Sequence, residues 1–82
     1  MTSEPLLIDA RGHRCPVPTL KLRKALEGLA PGGRVRLIAD DPMAKVDVPH
    51  FVAQGGHELI EVEMIDGAAR FLVRKAPLSP DT

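Results

Sequence analysis

The chain has 82 residues, which fits one small domain whose stability is marginal, since a domain of this size buries only about 60% of its unfolded surface. Eleven basic residues balance eleven acidic ones, and the only aromatics are Phe51 and Phe71. That balance argues against a dedicated nucleic-acid binder, which needs phosphate-neutralising charge and stacking rings.

No apolar run approaches the ~18 residues that a membrane-spanning helix needs. The opening "MTSEPLLIDARG" lacks the basic-then-apolar order of a signal peptide. A single cysteine cannot form an internal disulfide, so a reducing, cytoplasmic location is expected, without membrane attachment.

In chain order, "MTSEP" reads as a loose end and "LLIDA" (Leu6 to Ala10) as a first strand. A helix is predicted from Pro16 to about Leu29, closed by "APGG". In "GRVRLIAD", Val35, Leu37 and Ala39 alternate with Arg34 and Arg36, the period of a half-buried strand. "DDPMAKVDVPHFVAQGG" predicts a second helix, with Asp41 as cap, Pro42 at its first position and Gly55-Gly56 at its end. Ala44, Val48, Phe51 and Val52 fall on one face of it. Pro49 lies inside and should kink it, so one bent helix is predicted, with two short ones as the alternative.

"HELIEVEMI" predicts a third strand with Ile60, Val62 and Met64 inward and Glu61 and Glu63 outward. Asp66-Gly67 is a hairpin signal, and "RFLVRK" returns with Phe71 and Val73 inward. "APLSPDT" reads as a loose tail.

The order β-α-β-α-β-β gives an α+β fold: a two-layer α/β sandwich with two helices on one face of a four-stranded mixed sheet. The expected domain is single, with a core over about 6–75 and loose ends at 1–5 and 76–82. The outer face carries Arg34, Arg36, Arg70 and Arg74. RNA binding there is disfavoured, because Glu61 and Glu63 share the face and cross-strand pairing is the simpler use.

The chemistry concentrates in "RGHRCPVPTLKLRKAL". Pro16 and Pro18 suit the first turn of a helix, where amide hydrogens have no intrahelical partner. Cys15 then stands at the capping position, with the Val17 N–H and the positive helix end favouring a thiolate over a thiol. Arg11, His13 and Arg14 precede it and push the same way. The alternative is a small buried hydrophobe, the common fate of a free cysteine.

Leu20 projects about 200° from Pro18 and should be exposed among Lys21, Arg23 and Lys24. A docking surface and a solitary exposed leucine are both consistent with that. His13, His50 and His57 match no zinc spacing, and no metal or cofactor is expected. A Cys-His catalytic pair lacks a visible orienting group.

The segment "RGHRCPVP" resembles the Arg-Gly-x-x-Cys-Pro-x-Pro signature of the TusA/SirA family of small sulfur-carrier proteins. "ADDPMAKVDVPHF", "GHEL" and "FLVRK" extend the resemblance over about residues 6–75. It implies the same β-α-β-α-β-β sandwich and a cysteine, Cys15, that accepts a sulfane sulfur as a persulfide. The donor would be a protein such as a cysteine desulfurase, and a downstream acceptor protein would receive the sulfur.

In the best-known branch the relay ends in tRNA 2-thiouridine. Other branches serve sulfur oxidation or molybdenum-cofactor pathways. The resemblance assigns Arg11, Gly12, Pro16 and Pro18 to the motif that shapes the turn. It implies a sulfurtransferase-type carrier rather than a stand-alone catalyst; the charge-laced surface gives no reason to expect more than a monomer, and the balanced charge no direct nucleic-acid contact. Some relatives carry a second cysteine where Val52 stands here, so sulfur must leave to an external thiol. The rival reading is a thiol-based regulatory protein-binding module, which would need a resolving cysteine from a partner.

Overall fold

The computed structural model describes residues 4–14 and 17–76. Six elements follow one another: β1 (Leu6–Asp9), α1 (Val17–Glu27), β2 (Arg34–Ala39), α2 (Ala44–Gln54), β3 (Glu58–Ile65) and β4 (Ala68–Arg74). The strands form one sheet in the order β1-β2-β4-β3. β1 runs parallel to β2, and the other two pairings are antiparallel. This is the expected mixed sheet with two helices packed on one face.

The inward residues follow from the alternation in β2. Val35, Leu37 and Ala39 are buried and stand opposite Val73, Phe71 and Ala69 of β4. Leu22 and Leu26 of α1 and Ala44, Val48 and Val52 of α2 close over them. Pro18, Leu22 and Leu26 are the buried residues of α1, at the spacing of one helical face. A core built mostly of aliphatic side chains leaves Phe71, fully buried, as its largest member.

α2 is one uninterrupted helix through Pro49. It begins two residues later than the sequence suggests. The Asp41 carboxylate accepts the Met43 N–H at 3.3 Å, and the Asp41 carbonyl accepts the Ala44 N–H at 2.9 Å. Asp41 therefore caps a turn over 41–44 that leads into the helix, and Pro42 sits in that turn. At the far end the His57 N–H reaches back to the Val52 carbonyl at 3.0 Å and the Gly56 N–H to Ala53 at 3.1 Å, the closure that a double glycine permits.

β3 departs from its expected pattern. A bulge between Leu59 and Glu61 leaves Ile60 as the extra residue, 42% exposed. Leu59, opposite Val73, packs on the core instead. Val62 and Met64 do share the face of Phe71 and Ala69, yet both remain exposed because β3 is the edge strand. Glu61 and Glu63 face outward as expected, opposite Leu72 and Arg70.

Leu72 is buried on that outer face, between its register neighbours Arg36 and Glu61. Arg70 pairs with Glu63 at 2.8 Å and Arg74 with Glu58, so these two outer arginines are committed to cross-strand carboxylates. Asp66 and Gly67 take φ of +51° and +79°, the two positive values of a type I′ hairpin turn.

Backbone hydrogen bonds continue past β4. The Lys75 N–H donates to the Gly33 carbonyl at 2.7 Å, and the Ala76 N–H donates to His57 Nδ1 at 2.9 Å. Among the described residues no helix is long and apolar enough to cross a membrane.

Candidate functional site

Parallel pairing of β1 and β2 puts their C-terminal ends at one edge of the sheet. The loop from β1 to α1 and the loop from β2 to α2 meet there. The hairpin between β3 and β4 reaches the same edge, because Ala69 stands opposite Ala39. Arg11, Ile38, Asp40, Asp66 and Arg70 line a depression between these segments.

The β1–α1 loop leads directly to Cys15. Cys15 and Pro16 themselves lie outside the described residues, but both flanks are on view. Ala10 still donates to the Ile38 carbonyl at 2.8 Å, which extends the β1–β2 ladder by one bond. The chain then turns: the His13 N–H reaches the Ala10 carbonyl at 3.3 Å, with Gly12 at φ +86° in the third position. A positive φ there is the requirement of a type II turn, which glycine meets without steric cost.

Two aspartates hold this turn. Asp9 takes three bonds from Arg11: its backbone N–H at 3.1 Å, Nε at 2.9 Å and Nη2 at 2.7 Å. These bonds, the side-chain ones first, lower the Asp9 carboxyl to about 2. Asp40, the residue after β2, accepts the Gly12 N–H at 3.0 Å. Beyond the turn, the Val17 N–H donates to the Arg14 carbonyl at 2.9 Å, a bond that spans positions 15 and 16.

Two expectations change here. The guanidinium of Arg11 is matched to Asp9, so its charge is largely spent on that carboxylate rather than on Cys15. The Val17 N–H, expected as a free donor toward the sulfur, is engaged by Arg14. His13 and Arg14 are exposed and remain as the basic flank. Pro18 is buried against the core and anchors the first turn of α1.

Leu20 is 52% exposed, on the side of α1 opposite Pro18, as helical geometry requires. Lys21, Arg23 and Lys24 are exposed around it, and Arg23 lies 3.4 Å from Glu27. Val17 and Met43 are exposed apolar residues at the starts of α1 and α2. Among the described residues no three His, Asp or Glu side chains group as metal ligands.

Asp9 was not singled out by sequence reasoning, and Asp40 stood out only beside Asp41, as a possible carboxylate pair that a strand end followed by a helix cap explains about as well. The Asp-x-Arg spacing of "IDARG" is a local signal for the first. The second is visible only once β1 and β2 are known to be neighbours.

The sequence matches the family described as Sulfurtransferase TusA over residues 7–75, from β1 to the residue after β4. The chain belongs to the TusA family of sulfur carriers. It is 39% identical to the sulfur carrier protein TusA of Pseudomonas paraeruginosa over 69 residues, covering 84% of this chain and 87% of that one. A putative sulfur carrier protein of Archaeoglobus fulgidus is 41% identical over 68 residues, 82% of this chain and 88% of that one. The crystal structure of a SirA-like protein from Desulfitobacterium hafniense superposes with a TM-score of 0.79 at 26% identity, over 87% of this chain and 97% of that one. Family membership gives the turn above its context: the aspartate-braced loop is the one that delivers the chain's lone cysteine. Val52 is buried in the core of this family member and serves packing.

Proposed function

We propose that Cys15 carries sulfane sulfur as a persulfide. The observation that supports this most directly is the match to the sulfur-carrier family across residues 7–75, in a chain with one cysteine. The Cys15 thiolate attacks the outer sulfur of a donor's persulfide. An S–S bond forms, the donor's S–S bond breaks, and the donor thiolate leaves. An acceptor thiolate then attacks the outer sulfur on Cys15 and regenerates the Cys15 thiolate.

No electron carrier is consumed in either step, because the sulfane sulfur keeps its oxidation state. A depressed thiol pKa serves both, by raising the nucleophilic fraction and by making Cys15 a better leaving group. Arg14, His13 and the positive end of α1 favour the anion, while Pro16, Val17 and Pro18 shape the turn. The donor is a cysteine desulfurase or another persulfide enzyme, the acceptor is a second protein, and the setting is cytoplasmic. The relay we assign is tRNA 2-thiouridine formation. The same two steps would serve sulfur oxidation or molybdenum-cofactor pathways.

The test is intact-protein mass spectrometry after incubation with a cysteine desulfurase and cysteine, without reductant. A gain of one sulfur atom that a reductant reverses is the expected result. A thiol that alkylates readily but never gains sulfur would shift the reading to a regulatory protein-binding module.

Docking is assigned to Leu20 with Lys21, Arg23 and Lys24. An apolar anchor inside a basic collar suits an acidic partner surface, and the charges speed encounter. Reversing Arg23 and Lys24 to glutamate is expected to weaken donor binding on the order of tenfold at low ionic strength and much less at high salt, where charges are screened. Isothermal titration at two salt concentrations reads this. Equal affinities for variant and wild type at low salt would remove the docking assignment.

A further inference from the structure

We infer that Asp40 is a positioning residue for the chemistry of Cys15, acting through the Gly12 N–H to pin the turn that precedes the cysteine in the chain. The inference rests on the sulfur-carrier reading for its purpose, but its test does not need sulfur transfer.

Four observations converge on it. The Gly12–Asp40 bond, at 3.0 Å, bridges residues 28 apart in sequence. Asp40 directly follows β2, whose alternating residues are buried in the core, so its backbone is anchored by the sheet. Among the described residues, the other hydrogen bonds of residues 11–14 are local: those of Arg11 to Asp9, the His13 N–H to the Ala10 carbonyl and the Val17 N–H to the Arg14 carbonyl. Finally, the turn requires Gly12 at φ +86°, where an added Cβ would meet no atom within 4 Å. Any cost of a side chain there is therefore conformational rather than steric, and the turn itself can be perturbed without a clash.

Asp9 and Asp40 have separate tasks in this arrangement. Asp9 holds Arg11 within the loop by direct hydrogen bonds, whereas Asp40, which adds a weaker charge attraction to Arg11, is the one that ties the loop backbone to the sheet. Small displacements of a reacting group are costly: about 1 Å can reduce a rate by roughly a hundredfold. A cysteine at the end of an untethered loop would also sample positions away from the helix end that favours its anion.

The experiment measures the alkylation rate of Cys15 by iodoacetamide against pH, which gives the thiol pKa, in wild type, Asp40→Ala, Asp40→Asn and Gly12→Ala. Asparagine keeps an oxygen acceptor for the Gly12 N–H but has no charge. Positioning predicts that Asp40→Ala raises the thiol pKa toward the free value of ~8.5, while Asp40→Asn leaves it at or below the wild-type value. Sulfur loading at neutral pH should fall on the order of tenfold or more in the alanine variant and recover in the asparagine one.

A role of Asp40 through charge alone has the opposite sign. Both variants would then lower the pKa equally, because a nearby negative charge has been removed, and the inference would be overturned. An unchanged pKa in both would overturn it too. If Asp40→Ala does not fold, Gly12→Ala decides: a raised thiol pKa in the folded variant supports positioning, and a wild-type value overturns it. Should the wild-type protein fail to gain sulfur, the carrier reading falls while these alkylation profiles still decide the role of Asp40.

Discussion

Cys15→Ser is expected to abolish sulfur loading completely and to leave the fold intact. The substitution exchanges one chalcogen atom, sulfur for oxygen. A serine hydroxyl stays protonated at neutral pH and does not attack sulfane sulfur. Because the chain has no second cysteine, no other thiol can take over. Mass spectrometry should show no gain of sulfur under conditions that load the wild type. Circular dichroism and thermal melting should match the wild type, within the roughly 0.5 kcal/mol typical of substitutions that leave core packing alone. Loading of the variant to the wild-type level would mean that the sulfur sits elsewhere, and the assignment of Cys15 would be wrong. A second measurement sharpens the result. If the variant still binds the donor with wild-type affinity, recognition and chemistry are separable, as expected when Leu20 and its basic neighbours carry docking.

The loop that precedes Cys15 shows which features are written locally and which are not. Alternation in "RVRLIA" and the Asp66-Gly67 pair are properties of a few consecutive residues, and both elements appear where the sequence places them. The buried face of α1 follows from spacing alone, and so does the exposure of Leu20. The arrangement of β3 was less legible. Its bulge transfers the inward role from Ile60 to Leu59, and its edge position leaves Val62 and Met64 uncovered. Neither is a property of the segment itself, because both depend on β4 pairing with β3 on one side only.

The same holds for the start of α2. Asp41-Pro42 is a good helix opening by composition, yet the Asp41 carboxylate satisfies the Met43 N–H in a preceding turn. The tether from Gly12 to Asp40 is the extreme case. Both residues are conspicuous alone, one as a glycine before a cysteine and the other as a carboxylate after a strand. Only the parallel neighbourhood of β1 and β2 makes them partners. The motif points to the residue proposed to react, and strand order supplies the Gly12–Asp40 bond in the loop before it.

The site's dependence on the sheet leads to the largest expected effect on stability, Phe71→Ala. Phe71 is fully buried, stands opposite Leu37 on β2 and Val62 on β3, and is the largest side chain in a core otherwise built of Leu, Val and Ala. Truncating a buried phenylalanine costs about 3–5 kcal/mol, through lost transfer energy and the cavity left behind. Domains of this length have roughly 4–12 kcal/mol to lose. Each kcal/mol shifts the Tm by about 4–8 °C at this size, so the midpoint should fall by at least about 12 °C. Phe51→Ala is the informative comparison. Phe51 is only partly buried, beside Arg23, Leu26 and His57 at the opposite end of α1 from Cys15, and its removal should cost less than half as much. Equal losses would show that the core is not centred on β2 and β4. The consequence for function follows from the register, because Asp40 takes its place from β2, which Phe71 joins to the rest of the sheet. Phe71→Ala should therefore lose sulfur loading on heating at the temperature where β-sheet circular dichroism is lost, whereas Cys15→Ser lacks loading at every temperature while its sheet signal persists.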